Sequence, residues 1–395
     1  MSKPLVPEPI RALIARWIPR LAFVIFVFLT VSWLKSPSKS TGFDWVMYQD
    51  TARLLLSSRV DLIYPGITEG LPFFYPPYFI WPIAPLGLLT RTWGYVTCAL
   101  AMVVALASAL GLLSRTIPGS WKSFATVLVV VLSSASWTVM LQIGHISAWF
   151  LFVLAAGLFL WTRGKNALAG AVLSLMMFKP NLGCVFPALL LVRRQWTHLA
   201  GWICGFALLL LSTLPLGPEI WRDYFRTSRA VASIVTQEIP MWKQQTVYAF
   251  WCTVIDTRHS RLILMSWLVS IGPLLGLTIL AWLKTNLDSA HLPRLFGLIV
   301  LMLVSSNVYL FLYDGLLLAL PGVVWYLQKD SFRSALAHRV IGVAILFIYI
   351  WQHLSVWVIK GGISLVGPAV AVWLVADACD LLRGGDLRET ATLRT

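Results

Sequence analysis

Eight stretches of this chain are so apolar and so sparsely charged that they fit only lipid or a protein interior. They are Leu21–Leu34, Trp93–Leu113, Phe124–Leu141, Ile146–Trp161, Leu199–Leu216, Leu262–Leu283, Val340–Val358 and Ile363–Leu382. Crossing about 30 Å of hydrocarbon takes roughly 18 or more such residues, and these runs meet or approach that length. Backbone in lipid must satisfy its own polar groups, so the runs predict helices. With 58% of residues hydrophobic and 12% charged, little remains for a soluble domain. The fold expected is an all-α polytopic membrane protein, one integral unit over residues 1–395. Counting the shorter runs between the long ones gives about 12 transmembrane helices.

The charge pattern orients them. A formal charge of +15 would suit nucleic acid if it formed one patch, but the cations recur between spans instead. Arg11, Arg16 and Arg20 precede the first run; Arg115 with Lys122, Arg163 with Lys165, Arg193 with Arg194, Lys329 with Arg333 and Arg339, and Arg383 with Arg388 separate later ones. That is the positive-inside pattern, and it excludes nucleic acid as a partner. Residues 1–20 and 383–395 are then cytoplasmic, and residues 35–74 and 217–260 form two outer loops. Trp-Leu-Lys-Ser-Pro follows Leu21–Leu34 where a signal peptide would need small residues, so the first helix reads as uncleaved. Pro76, Pro77, Pro82 and Pro85 break Tyr75–Thr90 into a segment unable to cross. Asn166–Phe178 and Asn181–Val192 form a hairpin turning at Lys179-Pro180. Five cysteines without paired spacing predict no disulfide or metal centre, and no cofactor is implied.

Carboxylates are scarce and concentrated. Of sixteen acids, eight fall in the two outer loops: Asp44, Asp50, Asp61 and Glu69 in the first, Glu219, Asp223, Glu238 and Asp256 in the second. Asp44–Ser58 carries Trp45, Tyr48, Ala52 and Leu55 at helical spacing, which predicts an amphipathic helix lying flat in the interface. Asp44 or Asp50 is then either a helix-capping or solvated acid, or a group with chemistry. Six residues apart, they stand about 240° apart around the helix and cannot serve one hydroxyl. Lys179 either snorkels out of its apolar hairpin or faces a partner within it. Asp314, beside Tyr313, is either a helix cap or a buried partner.

Motifs in order along the chain resemble glycosyltransferase family 87. They are DWVMYQDTA (Asp44–Ala52), IYP (Ile63–Pro65), FFYPPYFIWPIAPLGLL (Phe73–Leu89), GHISAWFL (Gly144–Leu151), AGAVLSLMMFKPNLGCVFPALLLVRRQW (Ala169–Trp196), KQQTVYAF (Lys243–Phe250) and SSNVYLFLYDGLLLALP (Ser305–Pro321). The chain departs from the family at Gly144-His145, where Gln is common, and at Asn307-Val308, near a common Pro-His pair. The resemblance implies a GT-C type membrane glycosyltransferase moving a hexose, mannose foremost, from a polyprenyl-phosphate donor to a glycolipid or polysaccharide acceptor. It implies an inverting reaction at the periplasmic face of the inner (plasma) membrane, with no metal. Matched positions make Asp44 the general base and Lys179 the contact to the donor phosphate. Asp50, Tyr75, His145, Gln245, Tyr313 and Asp314 would line the cavity. A lipid-linked saccharide flippase is the rival from another class, disfavoured by acids on one face and the lack of a repeat. An envelope polysaccharide polymerase or ligase is the other rival.

Overall fold

A computed structural model describes residue 24 and residues 43–64, 73–117, 121–237, 240–255, 257–355 and 362–383. All of the expected first helix, Leu21–Leu34, except Val24, and the acids Glu69, Glu238 and Asp256 lie outside the described residues. Helices are the only regular elements among those described, in chain order α1 (Phe43–Leu56), α2 (Arg91–Thr116), α3 (Trp121–Leu132), α4 (Ala135–Ile143), α5 (Ser147–Thr162), α6 (Asn166–Leu173), α7 (Val185–Val192), α8 (Trp196–Leu211), α9 (Glu219–Gln237), α10 (Val247–Val254), α11 (Ser260–Lys284), α12 (Leu292–Ser306), α13 (Ala319–Leu327), α14 (Ala335–Leu354) and α15 (Val366–Leu382). Short 3-10 and α turns fill the breaks, including the three pieces between Pro77 and Leu88 and the turn Leu312–Leu318.

The expectation of about 12 membrane helices goes beyond what helix length and composition show in the described part. Four helices of the described part are long and apolar enough to cross a membrane, or up to five if the bent pair α3–α4 is one span. The others are shorter apolar helices: 147–162, 166–178, 180–192, 292–306 and 312–327. Composition alone cannot separate them, because a helix surrounded by protein is also apolar all round. α12 is the clearest case. Every residue from Leu292 to Ser305 is buried, including Arg294, whose guanidinium bonds Asp377 and Asp380 of α15 and stacks on Phe332. Leu208, Val269, Val343 and Val104, by contrast, stand exposed on α8, α11, α14 and α2. So wide an apolar outer surface belongs to a molecule whose solvent is lipid.

Small residues set the pairing of α6 with α8. A Cβ at Gly201 would collide with the Ala167 carbonyl, one at Gly170 with the His198 carbonyl, and one at Gly205 with Ser174 Oγ. Ala167 thus meets Gly201 and Ser174 meets Gly205, so the two helices run in the same direction, and the chain through Lys179 and α7 must return between them. Close backbone approach through small residues is the usual contact between helices in lipid. Gly201→Leu should therefore destabilise the protein by at least about 1–3 kcal/mol, the usual range for overpacking. Gly272→Leu, with open space around its Cβ, should change little. Equal thermal unfolding midpoints for the two variants in detergent would contradict this packing.

Candidate active site

Asp44 opens α1, and its position is set by its neighbour. Trp45 is wedged between Gly94 of α2, where any Cβ would overlap its ring, and Gly144, whose Cβ would stand 2.6 Å from the Trp45 Cβ. Gly144 also has φ +82, a conformation that side chains disfavour. α1 is packed into the protein on more than its apolar face. Its apolar residues Trp45, Tyr48 and Ala52 are buried, and so are Asp44 and Gln49 on its polar side. Gln49 Nε2 donates to the carbonyls of Leu86, Leu89 and Thr90, tying α1 to the end of the proline-broken segment. Only the edge bearing Asp50 and Arg53 reaches solvent. Asp50 pairs with Arg91 at 2.6 Å, each side chain about half exposed. Asp50 is thus engaged at the surface with Arg91, apart from the hydrogen-bond line described below.

Lys179 and Asp314 meet in the interior. Lys179 Nζ donates to both carboxylate oxygens of Asp314, at 2.7 and 2.6 Å. Asp314 Oδ1 also accepts from Ser147 Oγ at 3.1 Å, and Oδ2 accepts from the Phe311 amide at 3.2 Å. Asp314 is thus both a cap on the turn Leu312–Leu318 and the counter-ion of Lys179, so the two sequence readings are both realised. Lys179 faces a partner and does not snorkel. It lies over the Tyr313 ring, 5.6 Å from the centroid. An ammonium has three donors, so one remains beyond the two given to Asp314.

A line of hydrogen bonds reaches Asp314 from α1. Tyr48 OH donates to Tyr75 OH at 2.9 Å, and Tyr75 OH lies 2.9 Å from His145 Nε2. His145 Nδ1 is 2.8 Å from Ser147 Oγ, which donates on to Asp314. Since Ser147 gives its proton to the carboxylate, it accepts from Nδ1–H, so Nε2 accepts from Tyr75 and every proton in the line points towards Asp314. The tautomer is inferred from this network. Burial, with Lys179 adding to the effect, holds the imidazole well below its ordinary pKa. It is therefore neutral, as the line requires. The ring also stacks on Tyr313, centroids 3.9 Å apart.

Asp44 is the acid this network leaves unused. Its Oδ2 is buried and has no hydrogen-bond partner. Burial pushes its carboxyl up to about 7; Lys179 pulls it down and Asp314 adds to the rise. A carboxyl near 7 with a free oxygen is suited to taking a proton at neutral pH.

Gln245 belongs to a separate uncharged layer behind Asp314. It accepts from Gln352 Nε2 at 2.9 Å, and Gln352 accepts from Ser136. The backbone N–H of Gln245 donates to the Leu310 carbonyl, beside an isolated bridge between Gln244 and Phe311. A Cβ at Gly315, next to Asp314, would sit 2.7 Å from both Gln352 and Ser136. Ser147, Ser136 and Gln352 were not singled out in the sequence, and Tyr48 entered only through its helical spacing. Tyr48 and Ser147 lie inside quoted motifs, but nothing in their spacing reveals their partners. Among the described residues no group of three or more His, Cys, Asp or Glu could hold a metal ion.

These groups sit in a chain whose residues 73–306 match the sequence model of glycosyltransferase family 87. That is more than half of the chain, and the chain belongs to this family: it is a glycosyltransferase with transmembrane helices. No curated protein and no solved structure matches it. The matched region contains Tyr75, His145, Lys179 and Gln245, whereas Asp44 lies before it and Tyr313 and Asp314 after it.

Proposed function

We propose that this glycosyltransferase is of the GT-C type and moves a hexose, mannose foremost, from a polyprenyl-phosphate carrier to a glycolipid or polysaccharide acceptor. The observation carrying the reading is the buried, unpartnered Asp44 oxygen within electrostatic reach of the Lys179–Asp314 pair. A base is left free, and a fixed cation lies beside it.

In this reading the acceptor hydroxyl attacks the anomeric carbon as the bond from that carbon to the phosphate oxygen breaks. The hydroxyl proton passes to Asp44, and a single in-line displacement inverts the centre. The carrier leaves as a phosphate monoester with one more negative charge than the donor, while Asp44 loses its own charge. The site therefore gains no net charge during the step, which favours it where water is excluded. Asp314 fixes Lys179 in advance, so the ammonium's remaining donor meets the departing phosphate without reorganising. The His145 line, ending in the Ser147 bond to Asp314, helps to hold that carboxylate against Lys179. The positive-inside pattern supports placing this chemistry at the periplasmic face of the inner membrane.

The test is incubation of the purified full chain with polyprenyl-phosphate mannose, glucose or galactose and membrane-extracted acceptors. Transfer from the mannose donor with inverted anomeric configuration is the expected result. Transfer only from a nucleotide sugar, or with retained configuration, would overturn the reading.

A further inference from the structure

A second group of unsatisfied polar atoms lies at the other end of the hairpin. The run Pro180–Val192, at about 1.5 Å per residue, places Arg193 roughly 20 Å from Lys179. Arg193 Nη2 donates to the Thr285 carbonyl just past the end of α11, and the guanidinium lies over the Trp282 ring, 5.7 Å from its centroid. Trp282 is itself held by a 2.8 Å bond to the Leu189 carbonyl. The guanidinium is therefore folded inward against α11. Its Nη1 is buried without a partner, and so is Thr285 Oγ1 on the same residue that receives Nη2.

Two such atoms are costly if nothing meets them, more so for one on a cation. Arg194 and Lys284, the chain neighbours of these residues, are exposed cations. Among the described residues, none of the three cations has a carboxylate within 4.0 Å. A guanidinium fork with a hydroxyl beside it and uncompensated positive charge around it matches the oxygens of a phosphate group. α11 is long and apolar enough to span a membrane and ends at Lys284, so the group lies where phospholipid headgroups lie. We propose that Arg193 and Thr285, flanked by Arg194 and Lys284, bind the phosphate of an anionic phospholipid. The site is independent of the sugar-transfer chemistry.

The full chain, purified in detergent and stripped of lipid, would be followed by thermal unfolding with phosphatidylglycerol, phosphatidylcholine or inorganic phosphate added. Binding to the folded state raises the midpoint, so phosphatidylglycerol should raise it by several degrees and phosphatidylcholine far less. Arg193→Gln and Thr285→Val should each lose at least half of that rise; Thr285→Val keeps the volume and serves if Arg193→Gln does not fold. Arg115→Gln, a cation at the end of α2, should keep it. An undiminished rise in both site variants, or an equal rise with phosphatidylcholine, would overturn the site. An equal rise with inorganic phosphate alone would overturn the assignment to lipid.

Discussion

Replacing Asp44 with Asn should lower turnover by about 10²–10⁴-fold, the usual span for removal of a general base. Asp50→Asn should stay within a few-fold of wild type, because it breaks only a half-exposed pair with Arg91, and such pairs contribute about 0–1 kcal/mol. The pH profile gives an independent readout. A base must be ionised to work, and burial holds the Asp44 carboxyl up at about 7. The rate should climb about tenfold per pH unit below that value and level off above it. Asp44→Asn should lack this limb. Near-normal activity in both variants would leave the reaction without its base, and a large loss only in Asp50→Asn would move the role to that residue.

The same carboxyl makes a prediction of opposite sign for stability. Folded Asp44 keeps its proton to about pH 7, whereas the unfolded carboxyl releases it near 3.8. Between these values the folded state binds the extra proton, so stability falls as pH rises through the window. At 1.36 kcal/mol per pKa unit, the ionised carboxylate costs up to about 4 kcal/mol above pH 7. Asp44→Asn should therefore unfold at a higher temperature than wild type at pH 8 and at nearly the same temperature near pH 4. A variant that is inactive but more stable identifies a functional acid. A loss of stability at pH 8 would make Asp44 a structural acid instead.

The sequence revealed the parts of this arrangement better than their contacts. The helix following Asp44 was legible from the spacing of Trp45, Tyr48 and Ala52. The separation of Asp44 from Asp50 around that helix indicated only that the two could not serve one hydroxyl. Its burial was not legible, because the partners of Gln49 are main-chain carbonyls of Leu86, Leu89 and Thr90, which leave no mark on side-chain pattern. Lys179 stood out because a cation in an apolar hairpin demands an explanation. That its partner is Asp314, 135 residues away, depends on the packing of α5, the hairpin and the turn after α12. The helix count was not legible for a related reason: α12 is as apolar as a membrane span, yet every residue from Leu292 to Ser305 is buried in protein.

The largest stability effect should come from splitting that pair. Lys179→Ala leaves the Asp314 carboxylate buried with only Ser147 and the Phe311 amide as partners. Breaking a buried ion pair from one side typically costs about 3–5 kcal/mol, most of it from the charge left behind. A simple loss of activity in Lys179→Ala would then say little about donor binding. The informative variant is the double Lys179→Met with Asp314→Asn, which removes both charges at similar volume. It should recover most of the stability lost in Lys179→Ala, since neutral replacement of a buried pair is often nearly cost-free. On the proposed mechanism it should still fail to bind polyprenyl-phosphate mannose, because that mechanism assigns the phosphate to Lys179. A double variant as unstable as the single would mean that the pairing does not carry the cost. A stable double variant that binds donor normally would leave Lys179 with Asp314 as its whole purpose, and the departing phosphate would need another cation.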